Sequence, residues 1–163
     1  MNLMHTAQVA FQIKDMDAAL RFYCQGLGLK QKFALSFRDA SQFFRSRASI
    51  PGVRPMNPQA IDYFASMQDL PWIVFLETGE HQFLELFYTY EAKSFFDNRP
   101  ISYGYQHLCL EVDDIHATWA QLIEFGIAPV AEPALQPDGS WQIWLNDPEG
   151  NLIELIQYAG GIA

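Results

Sequence analysis

The sequence is short of basic residues, of cysteine and of long apolar runs, and each shortage closes a class of function. Ten Lys and Arg stand against 19 Asp and Glu, a formal charge of -9. That net field repels nucleic acid and anionic membrane, and no basic cluster offsets it. Neither is an expected partner; a small-molecule substrate is. Cys24 and Cys109 are the only cysteines. Two are too few for a disulfide scaffold, and each lies in an apolar run where it reads as a small buried hydrophobe. No run approaches the roughly 20 apolar residues needed to cross a bilayer. Met1-Asn2-Leu3-Met4-His5 lacks the charged and apolar regions of a signal peptide, so a cytoplasmic location is expected.

What is present is core-forming material and a duplication. Half of the 163 residues are hydrophobic and 15% are aromatic, enough to pack the interior of one domain over 1–163. The segment Gln8-Val9-Ala10-Phe11-Gln12-Ile13-Lys14-Asp15-Met16 aligns without a gap on His107-Leu108-Cys109-Leu110-Glu111-Val112-Asp113-Asp114-Ile115, 99 residues further on. Each copy alternates apolar and polar residues, the mark of a half-buried strand. Each then meets an aspartate able to cap a helix, Asp15 and Asp114, and glycines that suit helix termination, Gly26 and Gly28 in one copy and Gly126 in the other. Three further strands are expected in each half, at about 31–37, 72–77 and 82–88, then at about 128–131, 141–145 and 151–158. Gly79-Glu80 and Asp147-Pro148-Glu149-Gly150 supply the last turns.

The fold class is therefore α+β, with two βαβββ modules forming a cupped, partly open mixed sheet. Module one spans about 5–90 and module two about 104–160. An insertion at about 38–70 breaks the symmetry. It holds turns around Ile50-Pro51-Gly52 and Arg54-Pro55-Met56-Asn57-Pro58 and a helix near 59–67, and its length suits a lid or a dimer contact better than a bare loop.

Four side chains stand out at matching positions. Gln8 and His107 open the first strand of their modules; Glu85 and Glu154 sit in the last strands, inside Phe83-Leu84-Glu85-Leu86-Phe87 and Leu152-Ile153-Glu154-Leu155-Ile156. A carboxylate in such company is costly to bury unless paired, hydrogen-bonded or metal-bound. Taken singly, each glutamate could face solvent and His107 could be a core residue. As two symmetry-related pairs they form a ligand set for one divalent ion, Zn²⁺, Ni²⁺, Co²⁺ or Mn²⁺. His5, His81 and His116 read as surface or structural. Gln12, Glu111, Trp141 and Trp144 are candidates for the pocket wall.

Asp15-Met16-Asp17-Ala18-Ala19-Leu20-Arg21-Phe22-Tyr23 with Leu27-Gly28-Leu29, and Asp147-Pro148-Glu149-Gly150-Asn151-Leu152-Ile153-Glu154-Leu155, resemble the glyoxalase/bleomycin-resistance/dioxygenase (vicinal oxygen chelate) proteins. The resemblance covers nearly the whole chain outside the insertion. It implies paired βαβββ modules around a metal and a homodimer whose site is often shared across the interface. The order Gln8, Glu85, His107, Glu154 is similar to the metal set of glyoxalase I (lactoylglutathione lyase). Ring-cleaving dioxygenases present two histidines and a glutamate to iron, and Gln8 departs from that pattern. The glutathione-holding positions also depart: Gln12 and Tyr103 stand where arginines are expected, Thr89 where an asparagine is, and no lysine lies near 132–139. Glutathione carboxylates would lack their usual cations.

These implications lead to a metal-dependent lyase or isomerase acting on a small α-hydroxycarbonyl or hemithioacetal. Lewis acidity would stabilise a developing enediolate, Glu154 would remove the proton beside the carbonyl, and Glu85 would return it. The alternatives are other metal-dependent chemistry on the same scaffold, such as epimerisation or ring opening, and a binding protein of the bleomycin-resistance kind that turns nothing over.

Overall fold

The structure, a computed structural model, describes residues 5–47, 58–89 and 105–159. Tyr103 and the turns at 50–57 lie outside the described residues. Two open four-stranded sheets are present, each with one parallel and two antiparallel pairings, and the expected α+β class with two βαβββ repeats is observed. The first sheet has β1 (Gln8–Ile13), β2 (Lys30–Ser36), β3 (Pro71–Gly79) and β4 (Gln82–Tyr88) in the order β1-β4-β3-β2. The second has β5 (Leu108–Glu111), β6 (Ala134–Leu135), β7 (Trp141–Asn146) and β8 (Leu152–Gln157) in the order β5-β8-β7-β6. The topology is duplicated: in each sheet the first strand is parallel to the last and the other pairings are antiparallel.

Alternation decides which face is core. In the first sheet Phe11 and Ile13 of β1, Val74 and Leu76 of β3, and Leu84 and Leu86 of β4 are buried. Gln8, Ala10 and Gln12 take the other face with Phe83, Glu85 and Phe87, their in-register neighbours being Ala10 for Glu85 and Gln12 for Phe87. The second sheet repeats this, with Ile143, Leu145, Ile153 and Leu155 buried on one side.

The helix caps follow the sequence reading. Asp15 Oδ1 accepts from the Ala18 N–H at 2.9 Å and starts α1 (Met16–Leu20). Asp114 Oδ1 accepts from the His116 and Ala117 N–H groups at 3.0 and 2.9 Å and starts α4 (Ile115–Phe125), which Gly126 ends at φ 84°. Beyond Leu20 the chain continues as a π-helical turn, Arg21–Gly26, whose wider winding lets the consecutive residues Phe22 and Tyr23 both point inward.

Contacts group the elements into two compact units. One carries β1 to β4 with α2 (Phe37–Arg47) and α3 (Pro58–Ser66); the other carries α1, its π-helical continuation, α4 and β5 to β8. The first repeat's helix thus joins the second sheet's unit.

Several expectations are corrected. The strand expected at 128–131 does not form; β6 lies at Ala134–Leu135 instead. Pro129 within that stretch and Pro133 just beyond it cannot donate to a ladder, and among the described residues a bond from Val130 N to Trp144 O, 2.6 Å, ties it to β7. Among its described residues the insertion contains two helices rather than one. Ser36 and Asp39 exchange N–H bonds reciprocally at the head of α2, 2.7 Å to the carboxylate and 3.1 Å to the hydroxyl. Edge-to-face contacts of Phe37 with Phe64 and Tyr88, and of Phe44 with Trp72, then hold α2 against α3 and the sheet. The cysteines are not buried: Cys24 is half-buried and Cys109 exposed, because Cys109 takes the polar face of β5. Among the described residues no helix is long and apolar enough to cross a membrane.

Candidate functional site

Each unit holds half of the expected ligand set. In the first, Glu85 sits at the centre of β4 with Ala10 of β1 and Phe75 of β3 as its cross-strand neighbours. Gln8 and Gln12 lie on that same face, one alternate position either side of Ala10. Glu85 is 5% exposed and makes no hydrogen bond or ion pair among the described residues. Burial alone pushes its carboxyl above the usual carboxylate range.

In the second unit Glu154 occupies the same place in β8, between Cys109 of β5 and Trp144 of β7. Ala10 and Cys109 are equivalent positions of the repeat, so the glutamates match in three dimensions as well as in sequence. Glu154 is 6% exposed, and His107, one residue ahead of β5, places Nε2 3.0 Å from its Oε2. The Trp144 ring meets the His107 ring edge-on at 4.8 Å and fixes its plane. Partial burial of the thiol first, and then the neighbouring Glu154 and Glu111 carboxylates, push Cys109 up to about 12, although the residue as a whole is exposed. Cys109 is a site neighbour the sequence reading missed; its signal was its register, two residues after His107 on an alternating strand.

The candidate wall residues separate. Gln12 shares the face of Glu85, and Glu111 and Trp144 share that of Glu154. Trp141 is three residues from Trp144 and points to the opposite, helix-covered side, where its ring lies 4.8 Å from that of His116. Its position takes it away from Glu154. His5, His81 and His116 are exposed. Among the described residues no three His, Cys, Asp or Glu side chains stand grouped to hold an ion; each unit offers its own pair.

A second polar cluster lies beneath the β7–β8 turn. Tyr23 Oη donates to Asp147 Oδ2 at 2.7 Å, in the interior. Asn151 donates to both oxygens, from Nδ2 at 2.8 Å and from its backbone at 2.7 Å, and Glu149 N adds a fourth bond at 3.0 Å. Glu149 Oε1 in turn accepts from Asp15 N at 3.0 Å. Burial and then Asp147 raise the Tyr23 pKa far above the usual phenol value. The Asp147-Pro148-Glu149-Gly150-Asn151 motif thus has a mechanical task, pinning the α1 region to the turn that leads into Glu154.

A family model for the Glyoxalase/Bleomycin resistance protein/Dioxygenase superfamily matches residues 5–155. The chain is 26% identical over 158 residues, 96% of its length and 95% of the relative's, to a protein of Synechocystis sp. described as "Probable lactoylglutathione lyase". Among solved structures it is similar to a glyoxalase/dioxygenase from Nostoc punctiforme, with TM-score 0.66, 20% identity and coverage of 97% and 93% of the two chains. It is also similar to a lactoylglutathione lyase from Agrobacterium tumefaciens, with TM-score 0.55, 24% identity and coverage of 92% and 90%.

Proposed function

The chain belongs to the glyoxalase/bleomycin resistance/dioxygenase superfamily, and from that premise we propose that it is a metal-dependent lyase or isomerase of the glyoxalase I type acting on a small α-hydroxycarbonyl or hemithioacetal. The observation that carries this reading is the matched placement of Glu85 and Glu154 in equivalent strands, each nearly inaccessible. In this reading Gln8 and Glu85 from one module and His107 and Glu154 from the other are the four ligands, and the protein is a homodimer. The name given to the Synechocystis relative supports lyase chemistry. The same reading takes the protein as cytoplasmic.

The residues suit an ion. His107 Nε2 and Glu154 Oε2 stand 3.0 Å apart, an imidazole nitrogen and a carboxylate oxygen of the kinds that hold such ions. Glu85, desolvated and without a partner among the described residues, is a carboxylate whose charge a cation would stabilise. Zn²⁺, Ni²⁺, Co²⁺ or Mn²⁺ all accept such a set. Held there, an ion would supply Lewis acidity toward the substrate.

The protein's own groups do the rest. Glu154, held by His107 at 3.0 Å, is the base that removes the proton beside the carbonyl. Glu85, the matching carboxylate of the other module, serves the opposite face, and the proton that Glu154 has taken up returns at the neighbouring carbon. Trp144 keeps His107 in place. The substrate is not held by the usual glutathione contacts, because Gln12 brings no positive charge to its carboxylates. Glu154→Gln tests the assignment: turnover of hemithioacetals made from several thiols, and of free hydroxycarbonyls, falls at least 10³-fold while thermal stability stays near wild type. An active variant refutes it.

A further inference from the structure

Beside Glu85 the first sheet carries a corner of aromatic rings that its core does not use. One row crosses the sheet from Ala10 through Glu85 and Phe75 to Phe33, each residue the cross-strand neighbour of the next. Phe33 stacks on Phe75 with centroids 4.1 Å apart and planes 19° from parallel. Phe83, two residues before Glu85 on the same face of β4, meets both rings at a steep angle, at 6.4 and 6.3 Å. The opposite face of these strands is the packed side, where Leu76, Leu84 and Leu86 are wholly buried. The ring corner instead remains open, Phe33 being 46% exposed.

An exposed phenylalanine in a stack costs hydration unless something covers it. The carboxylate at the centre of the row indicates what does. Across the strands the face runs from amides (Gln8, Gln12) through a carboxylate (Glu85) to rings, so an occupant lies with its oxygens over β1 and β4 and an apolar plane over β3 and β2. Strand spacing puts Phe33 about 10 Å from Glu85 between backbones, a span that an aryl group next to a carbonyl bridges together with the side chains. Two lysines border the corner: Lys32 is engaged by Glu77 at 3.2 Å, and Lys30 is the cross-strand neighbour of the same Glu77, so the corner holds its own counter-charge and the row favours a neutral plane over a second carboxylate.

We infer that the substrate carries a planar aromatic group next to its vicinal oxygens, as an aryl α-hydroxycarbonyl or its thiol adduct, and that Phe33 with Phe75 and Phe83 sets this specificity. The inference rests on the assignment of Glu85 to the substrate site made above. It separates this chain's substrate from a small alkyl one on ring stacking, which contributes several-fold to about tenfold in affinity.

The test uses the intact protein supplied with Co²⁺ and two unreactive vicinal-dioxygen probes, benzohydroxamate and acetohydroxamate, in titration calorimetry. Wild type should bind the aryl probe about tenfold more tightly, and Phe33→Leu, which keeps apolar volume but removes the ring, should lose most of that ratio. Phe33 is exposed on an edge strand, so the variant should fold, and its melting temperature checks this. Equal binding of the two probes by wild type, or an unchanged ratio in Phe33→Leu, overturns the inference. Cobalt content, measured on the same samples, separates the two readings: a Phe33-dependent aryl preference without bound Co²⁺ supports the ring corner and overturns the metal assignment.

Discussion

Replacing Tyr23 by Phe removes one hydroxyl from the polar cluster beneath the β7–β8 turn and nothing else of size. The lost bond is short, 2.7 Å, interior, and made to a carboxylate. Hydrogen bonds to charged groups contribute about 1.5–3 kcal/mol. Asp147 is not orphaned by the change, since Asn151 still donates to the same oxygen at 2.8 Å and two backbone N–H groups hold the other. The expected loss therefore stays within that range and does not reach the larger penalty of an unpaired buried charge. For a chain of this size it corresponds to a fall in Tm of about 3–12 °C. The effect also has a pH signature. The folded-state pKa of Tyr23 is raised, by burial first and by Asp147 second. Its contribution is then complete below the unfolded phenol value of about 10 and declines as pH rises beyond it. Thermal melts of wild type and Tyr23→Phe from pH 7 to 11 should show two curves that are separated at neutral pH and converge on the alkaline side. A Tyr23→Phe protein within about 0.5 kcal/mol of wild type at pH 7, small enough to be an ordinary surface-type change, refutes the role given to this cluster, as does a gap that widens with pH.

Two other perturbations test the local structure. Asp114→Ala removes the acceptor for two first-turn N–H groups of α4 and should destabilise the protein by about 1 kcal/mol in urea titration; Asp114→Asn should recover most of it. Hydrogen bonds from Ser36 hold the Asp39 carboxyl below its usual range. Their contribution is present above the ordinary aspartate value of about 4 and disappears as pH falls through the folded one. The stability gap between wild type and Ser36→Ala should accordingly shrink on acidification, and a gap constant down to pH 2 contradicts the capping account.

Much of this architecture was legible because two periodicities coincide. Alternation in Val9-Ala10-Phe11-Gln12-Ile13 and in Leu108-Cys109-Leu110-Glu111 states which side chains share a face, and the gapless repeat states which strands correspond. Together they placed Glu85 and Glu154 at matching positions before any coordinates. The same alternation, applied to β7, would have set Trp141 apart from Trp144, since three residues along a strand reverse the face. Helix α2 escaped because Ser36-Phe37-Arg38-Asp39 is a capping box with Asp where Glu or Gln is usual, and because its packing is with aromatic rings distant in sequence, Phe64 and Trp72. β6 was misplaced because Val130 has a strand propensity that Pro129 and Pro133 on either side override. The partners of Asp147 were hidden for another reason: Tyr23 lies 124 residues away, and no periodicity reports a contact of that range.

The claim that both repeats serve one ion is open to direct measurement. Protein loaded with Ni²⁺ or Co²⁺ and dialysed is analysed for metal as wild type, Glu85→Ala and His107→Ala. The account predicts a stoichiometric ion in wild type and its loss from both variants alike, although the altered residues belong to different modules. An empty wild type, or a Glu85→Ala protein that keeps its full complement, contradicts it.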